Sequence, residues 1–288
     1  MKDKNPVYLA IIFLVVGNQF GIMSDALIKS LGFEGPLIQL LFYRQLMSTI
    51  ILFPVWLKYA TPSSHMGIHV LRANLGTSAS LCMFFALNTL PLATTHAIYY
   101  SLPLFTLPMA FLLLGTKATR AQCIATAIGF IGVLIIIRPT SINWGAVSAF
   151  ACALATAFNV VIVRKLPENE SVIGTLFWMN ALALPVSFGL YISEDVAWNM
   201  ELLMWAGLSA ILVMFFFGGS IAAYKMADAG NICGAEYTGL VGSAAVGFFI
   251  FSELPDIYTI IGATLIIVPL IYIGKKKSGG TRQLSESY

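Results

Sequence analysis

Charge is what this sequence has least of. Asp, Glu, Lys and Arg make up 10% of its 288 residues, against roughly 25% in soluble domains. That scarcity excludes a soluble fold, because no water-facing surface of this size is covered by so few ions. Histidine is nearly absent, with three residues, and there are four cysteines. Cys82, Cys123, Cys152 and Cys233 all fall inside long apolar runs with no metal-like spacing, so they read as inert buried thiols. The chain has no Gly-rich nucleotide loop, no Gly-x-Ser-x-Gly and no His-Glu-x-x-His. Those absences exclude ATP-driven work and the common hydrolytic chemistries, and imply no catalytic residue, no metal and no cofactor. Short alternating segments are missing too, which excludes a membrane β-barrel.

Apolar residues fill the space that charge leaves. They make up 58% of the chain, with mean hydropathy +0.85. A membrane-spanning helix needs about 20 mostly apolar residues. Ten runs qualify: 7–28, 36–57, 68–89, 94–114, 120–137, 142–163, 172–192, 201–223, 232–252 and 257–273. The expected fold is an all-α integral membrane bundle of ten transmembrane helices, with the lipid bilayer as its solvent. The first run reads as a span rather than a cleavable signal, since it is long and lacks a small-residue cleavage site.

Lys and Arg set the expected orientation. With the N-terminus inside, the cytoplasmic side holds thirteen of the 16: Lys2, Lys4, Lys58, Arg72, Lys117, Arg120, Arg164, Lys165, Lys225, Lys275, Lys276, Lys277 and Arg282. Only Lys29 and Arg138 fall outside, and Arg44 lies within a span. Both termini are therefore expected in the cytoplasm of a bacterial-type inner membrane. The net charge of +3 is loop bias and a basic tail, not a nucleic-acid surface.

The two halves share an order of features. Aligning Gly115-Thr116-Lys117 with Ser252-Glu253-Leu254 brings 94–114 onto 232–251 and 120–137 onto 257–273. Ala26–Leu31 then falls on Val161–Leu166, and Leu41-Phe42-Tyr43-Arg44-Gln45 on Leu176-Phe177-Trp178-Met179-Asn180. Each half holds five spans. Five is odd, so the second half enters the membrane with opposite polarity, the inverted repeat of many secondary transporters. The expected units are 1–140 and 141–274, followed by a cytoplasmic basic tail, 275–288.

The stretch from Ala86-Leu87-Asn88-Thr89-Leu90-Pro91-Leu92-Ala93 to Leu114-Gly115-Thr116-Lys117, followed by Ile128–Leu134 and Arg138-Pro139, resembles the EamA domain of the drug/metabolite transporter superfamily. Phe251-Ser252-Glu253-Leu254-Pro255-Asp256 and Gly262-Ala263 resemble it again, so two tandem copies cover nearly the whole chain. One departure stands out: the family's turn is usually Gly-Glu, whereas this chain has Gly115-Thr116 and keeps Glu253 only in the second copy. The resemblance implies a ten-helix carrier with a central cavity lined by spans 1–4 and 6–9, spans 5 and 10 peripheral, and rocking helices giving alternating access.

The residues themselves point to a pocket. Ionisable groups inside spans are costly and need a reason. Arg44 lies about 8 residues into span 2, roughly 12 Å deep, and Glu236 about 5 residues into span 9, roughly 7 Å deep. Arg44 suits a carboxylate or phosphate, and Glu236 a cation or proton, although each could also be satisfied structurally. Asp25 and Lys29 stand one helical turn apart and can pair. Gln19, Tyr43, Tyr99, Tyr100, Phe177, Trp178, Asn180 and Tyr237 are the remaining candidates for cargo binding, with His96 beside Glu236 as a candidate for proton coupling. Tyr and Trp at span ends can instead form interfacial belts. Pro103 and Pro108 in span 4, and Gly239 and Gly242 in span 9, are candidate helix interruptions at corresponding places. The expected function is secondary, non-ATP transport of a small polar or amphipathic metabolite, by a monomer or homodimer. The resemblance places the cargo among riboflavin, S-adenosylmethionine and amino acids. A broad-specificity drug or metabolite exporter is the alternative, and a membrane-embedded scaffold or enzyme is the alternative of another class.

Overall fold

The structure, a computed structural model, describes residues 4–32, 36–59, 63–115, 120–137, 143–163, 165–167, 170–227, 235 and 237–269. Among the described residues all regular structure is helical. The helices are α1 (Lys4–Ser30), α2 (Leu37–Tyr59), α3 (Met66–Thr89), α4 (Leu92–Tyr99), α5 (Leu102–Leu114), α6 (Arg120–Ile137), α7 (Trp144–Val163), α8 (Val172–Ala181), α9 (Leu184–Ser193), α10 (Met200–Met226) and α11 (Thr238–Phe251). The last is α12 (Ile257–Pro269).

Among the described residues seven helical passages are long and apolar enough to cross a membrane: Pro6–Ser30, Leu37–Tyr59, Met66–Thr89, Leu92–Leu114, Trp144–Val163, Val172–Ser193 and Met200–Ser220. Three further apolar helices are shorter: Cys123–Ile137, Thr238–Phe251 and Ile257–Pro269. The ten runs of the sequence thus appear as seven crossing-length passages and three shorter helices, each of the three next to residues outside the description. Large apolar side chains face outward, including Phe249 (80% exposed), Leu112 (76%) and Val241 (72%). Such a surface is costly in water and neutral in lipid.

Two passages are jointed. Span 4 breaks at Tyr100–Ser101 into α4 and α5, and span 7 breaks at Leu182–Ala183 into α8 and α9. Each second piece starts on a proline in its first turn, Pro103 and Pro185, where the missing N–H would have no intrahelical partner anyway. α5 continues through Pro108. Asn199 caps α10 and Ser171 caps α8, each accepting a backbone N–H at 3.0 Å.

Packing repeats itself with the halves exchanged. α1 lies along α10, and α7 lies along α3. α2 packs on α10 as α8 packs on α3, and α1 meets α11 as α7 meets α4 and α5. α1 and α10 approach closely where Gly17 and Gly219 face each other; a Cβ on Gly219 would stand 2.7 Å from the Phe13 carbonyl oxygen. The equivalent helix ends also match. α5 terminates on Gly115 at φ +67° and α11 on Ser252 at φ +55°, the two positions that the alignment of the halves pairs. Glycine tolerates that left-handed turn without penalty.

One end of the bundle is tied by Lys29. Its ammonium donates to the Leu87 and Leu90 carbonyls at 2.9 and 2.6 Å and pairs with Glu253 at 2.9 Å. Glu253 also accepts the Leu92 N–H at 2.8 Å, capping α4. This corrects the expected Asp25–Lys29 pair: the Lys29 donors are taken by α3 and by Glu253, and Asp25 turns to His96 instead. The retained acid of the second copy therefore has a structural task, joining α1, α3, α4 and the end of α11.

Candidate functional site

A cavity of about 750 Å³ lies inside the bundle, within the range of about 300–1,000 Å³ typical of small-molecule sites. Its walls come from α1, α2, α3, α4, α7, α8 and α10, and from the α7–α8 connection. Among the described residues α6 and α12 contribute nothing to it; they pack on each other where Gly132 meets Gly262.

Arg44 reaches the cavity from α2. It donates to Ser80 Oγ at 2.7 Å and lies 4.6 Å from the centre of the Phe84 ring. Both contacts hold the guanidinium on the α3 wall while leaving it without a carboxylate partner among the described residues. Beneath it, Gln45 Nε2 donates to Thr77 Oγ1 at 3.0 Å and fixes the α2–α3 register. Toward the Lys29 end stand Asp25 and His96. His96 Nε2 is 3.2 Å from Asp25 Oδ2, close enough to attract a protonated imidazole but not aligned as a hydrogen bond. Tyr99 and Tyr100 follow on the α4 joint, and their rings lie 6.0 Å apart at 71°.

The opposite end carries a second polar group. Arg72, on the second turn of α3, is buried and donates through Nε to Asn159 Oδ1 at 3.0 Å. Counting it among the cytoplasmic loop cations was wrong: α3 begins at Met66 and turns this side chain inward. Beyond it, Glu170 accepts from His69 Nε2 at 3.1 Å and from Ser63, joining the α2–α3 and α7–α8 connections.

The cavity gathers some of the candidates and leaves others outside. Arg44, His96, Tyr99, Tyr100 and Asn180 line it. Asn180 Nδ2 donates to the Leu176 carbonyl of its own helix at 2.9 Å. Tyr43 is fully buried elsewhere, its hydroxyl accepting from Gln39 Nε2 at 2.9 Å and from the Asn199 N–H at 3.0 Å, with Trp198 against its ring. Phe177 stacks on Trp56 at 4.6 Å and Trp178 meets the same ring edge-on at 5.5 Å, forming an aromatic block beside the cavity. Gln19 bonds the Val15 carbonyl at 3.4 Å and lies against Gly242, where a Cβ would strike its amide. Gly239 likewise leaves room for the Tyr100 hydroxyl, and Tyr237 lies 5.8 Å from the Tyr100 ring. These two glycines serve the approach of α11 to α1 and α4. Glu236 and Cys233 lie outside the described residues, as do Thr116, Arg138 and the tail from 270 onward.

Chemically the cavity is amphoteric. It offers two guanidinium groups, two carboxylates, two histidines' worth of titratable nitrogen counting His69 behind Glu170, and an aromatic wall. Sequence reasoning missed Arg72 and Glu170. The available signal was Arg72 four residues inside the 68–89 run.

Residues 8–138 and 143–274 each match the EamA-like transporter family. The S-adenosylmethionine uptake transporter of Rickettsia prowazekii is 27% identical over 99% of this chain and 100% of its own length. The pseudopaline exporter CntI of Pseudomonas aeruginosa is 27% identical over 96% and 98%. The riboflavin transporter of Brucella anthropi is 26% identical over 86% and 91%. A crystal structure with 15% identity shares the fold at a TM-score of 0.59, covering 95% of this chain and 98% of that one. The three named relatives are transporters, not enzymes. With two tandem matches covering nearly its full length, on an apolar helical bundle that encloses a largely apolar cavity with a few charged groups, the chain belongs to the EamA-like transporter family.

Proposed function

We propose that the chain is a secondary transporter that moves a small amphoteric metabolite across a bacterial inner membrane by alternating access. The observation that carries this reading is the cavity itself, which holds fixed cations and fixed anions together beside aromatic rings. A lipophilic-cation exporter would need a net acidic chamber; Arg44 and Arg72 oppose that. An amino-acid head group, with an ammonium and a carboxylate, finds complementary partners at either end. The cargo range takes in S-adenosylmethionine and riboflavin, the compounds named for two relatives, and amino acids, whose paired charges suit the cavity.

In this reading the bundle comprises ten crossings in two inverted five-helix repeats with both termini in the cytoplasm. The exchanged packing of α1–α10 and α7–α3 supports the repeat. Arg44 anchors one end of the cargo, with Tyr99 and Tyr100 as its aromatic wall. The Lys29–Glu253 clasp closes one face while the Glu170–His69 contact closes the other, and transport requires each to open in turn. Glu236 and His96 are the candidates for coupling to protons. One chain contains both halves of the cavity, so a monomer suffices and a homodimer would be two independent carriers.

A thermal-shift panel of S-adenosylmethionine, riboflavin, aromatic and aliphatic amino acids and lipophilic cations tests it. A ligand that binds only the folded carrier raises the melting point with concentration. The expected response is to S-adenosylmethionine or an amino acid. A response to lipophilic cations alone would overturn the amphoteric reading and favour a broad exporter.

A further inference from the structure

The guanidinium of Arg72 is positioned but forms no ion pair among the described residues. Asn159 clamps it across the α3–α7 contact: Arg72 Nε donates to Asn159 Oδ1, and Asn159 Nδ2 donates back to the Arg72 carbonyl, both at 3.0 Å. Nη2 stands 3.9 Å from Met179 Sδ, a weak acceptor. Nη1 is buried without a hydrogen-bond partner among the described residues, on a residue only 6% exposed that lines the cavity. Glu170, the acid at that end, is engaged by Ser63 and His69 and forms no ion pair with Arg72. A buried charged donor without an acceptor is costly. On a side chain that lines a ligand-sized cavity, a guanidinium has the forked geometry that matches a carboxylate.

The repeat gives this placement a second meaning. The alignment of the halves pairs Met179 with Arg44. The second half has no arginine there, but Arg72 brings its guanidinium to Met179 from α3. Arg44 is level with Ser80 on α3, and Arg72 lies eight residues toward the other end, roughly 12 Å at 1.5 Å per residue. The cavity therefore has two guanidinium groups at different depths along α3.

We propose that Arg72 is a carboxylate-binding residue of the cavity, so that an amphoteric cargo lies lengthwise with its carboxylate at Arg72 and its other acceptor groups toward Arg44. The assignment rests on the cavity being the cargo site. Asn159 is its positioning residue, and Met179 marks the floor of the subsite.

Isothermal titration of the purified carrier tests this with two matched pairs: S-adenosylmethionine against its decarboxylated form, and L-tryptophan against tryptamine. The wild type binds the acid of at least one pair about tenfold or more tighter than its decarboxylated partner, as a charge-assisted bidentate contact requires. Arg72→Gln weakens the acid by about 10- to 100-fold and leaves the partner nearly unchanged, so the ratio collapses toward one. Arg72→Lys keeps the charge without the fork and falls between; it also decides the question if Arg72→Gln does not fold. A residue that merely braced α3 on α7 would weaken both members of a pair alike, and that outcome overturns the assignment. So does an acid preference that survives in both variants. Failure of the wild type to bind either acid contradicts the amphoteric-cargo reading itself.

Discussion

Glu253→Gln isolates the charge in the clasp at one end of the bundle. The substitution keeps the shape and an oxygen that can still accept the Leu92 N–H, but removes the carboxylate that Lys29 meets at 2.9 Å. Removing one partner of a fully buried ion pair costs about 3–5 kcal/mol. Here the side chains are 11% and 24% exposed, and Lys29 keeps the Leu87 and Leu90 carbonyls. The cost therefore falls to about 1–2 kcal/mol. For a chain of this size that lowers the denaturation midpoint by roughly 2–8 °C, measured on purified protein in detergent. Lys29→Met costs more, since it strands the acid and frees two carbonyls. The double variant is less destabilised than the two singles summed, because the pair is lost only once. A midpoint for Glu253→Gln within a degree of the wild type, or strict additivity in the double variant, would refute the clasp.

Other substitutions separate architecture from binding. Tyr43→Phe leaves the buried Gln39 amide and the Asn199 N–H without their shared acceptor; stability drops by about 1–3 kcal/mol while ligand affinity is unchanged, and an affinity loss without a stability loss would place Tyr43 in the site. Gly239→Ala drives a methyl into the Tyr100 hydroxyl, costing about 1–3 kcal/mol and slowing flux; wild-type flux in vesicles would show that α11 and α4 need not approach so closely. Ile131→Arg puts a charge on the outward face of α6, where the side chain is 54% exposed. In lipid this costs about 3 kcal/mol and lowers the yield of inserted protein, whereas a water-facing α6 would tolerate it.

What the sequence made legible follows the physics of lipid. Apolar runs exclude water along their whole length, so their helical character and order can be read directly. The turn at Ser252-Glu253-Leu254-Pro255-Asp256 was legible because polar residues and a proline interrupt two apolar runs there. The direction a side chain faces was harder to read. In a nearly uniform apolar helix, periodicity distinguishes one face from another only weakly. Phe177 and Trp178 could therefore line a cavity or join Trp56, and the structure gives them to Trp56. Partner choice depends on contacts between distant segments: Asp25 had Lys29 within one turn, yet α4 brought His96 to it and Glu253 took the lysine. Arg72 was misread for a related reason. A cation near the end of an apolar run can snorkel to water or turn inward, and only the reciprocal bonds to Asn159 show which.

The central claim is that cargo crosses through the cavity and is held there by Arg44. Its most direct test is uptake of labelled S-adenosylmethionine and L-tryptophan into vesicles reconstituted with wild-type protein or with Arg44→Ala. The account predicts saturable uptake of at least one compound by the wild type. It predicts none above empty vesicles for the variant, which loses only the Ser80 bond and the Phe84 stacking and still inserts and folds. Undiminished saturable uptake by Arg44→Ala would contradict it.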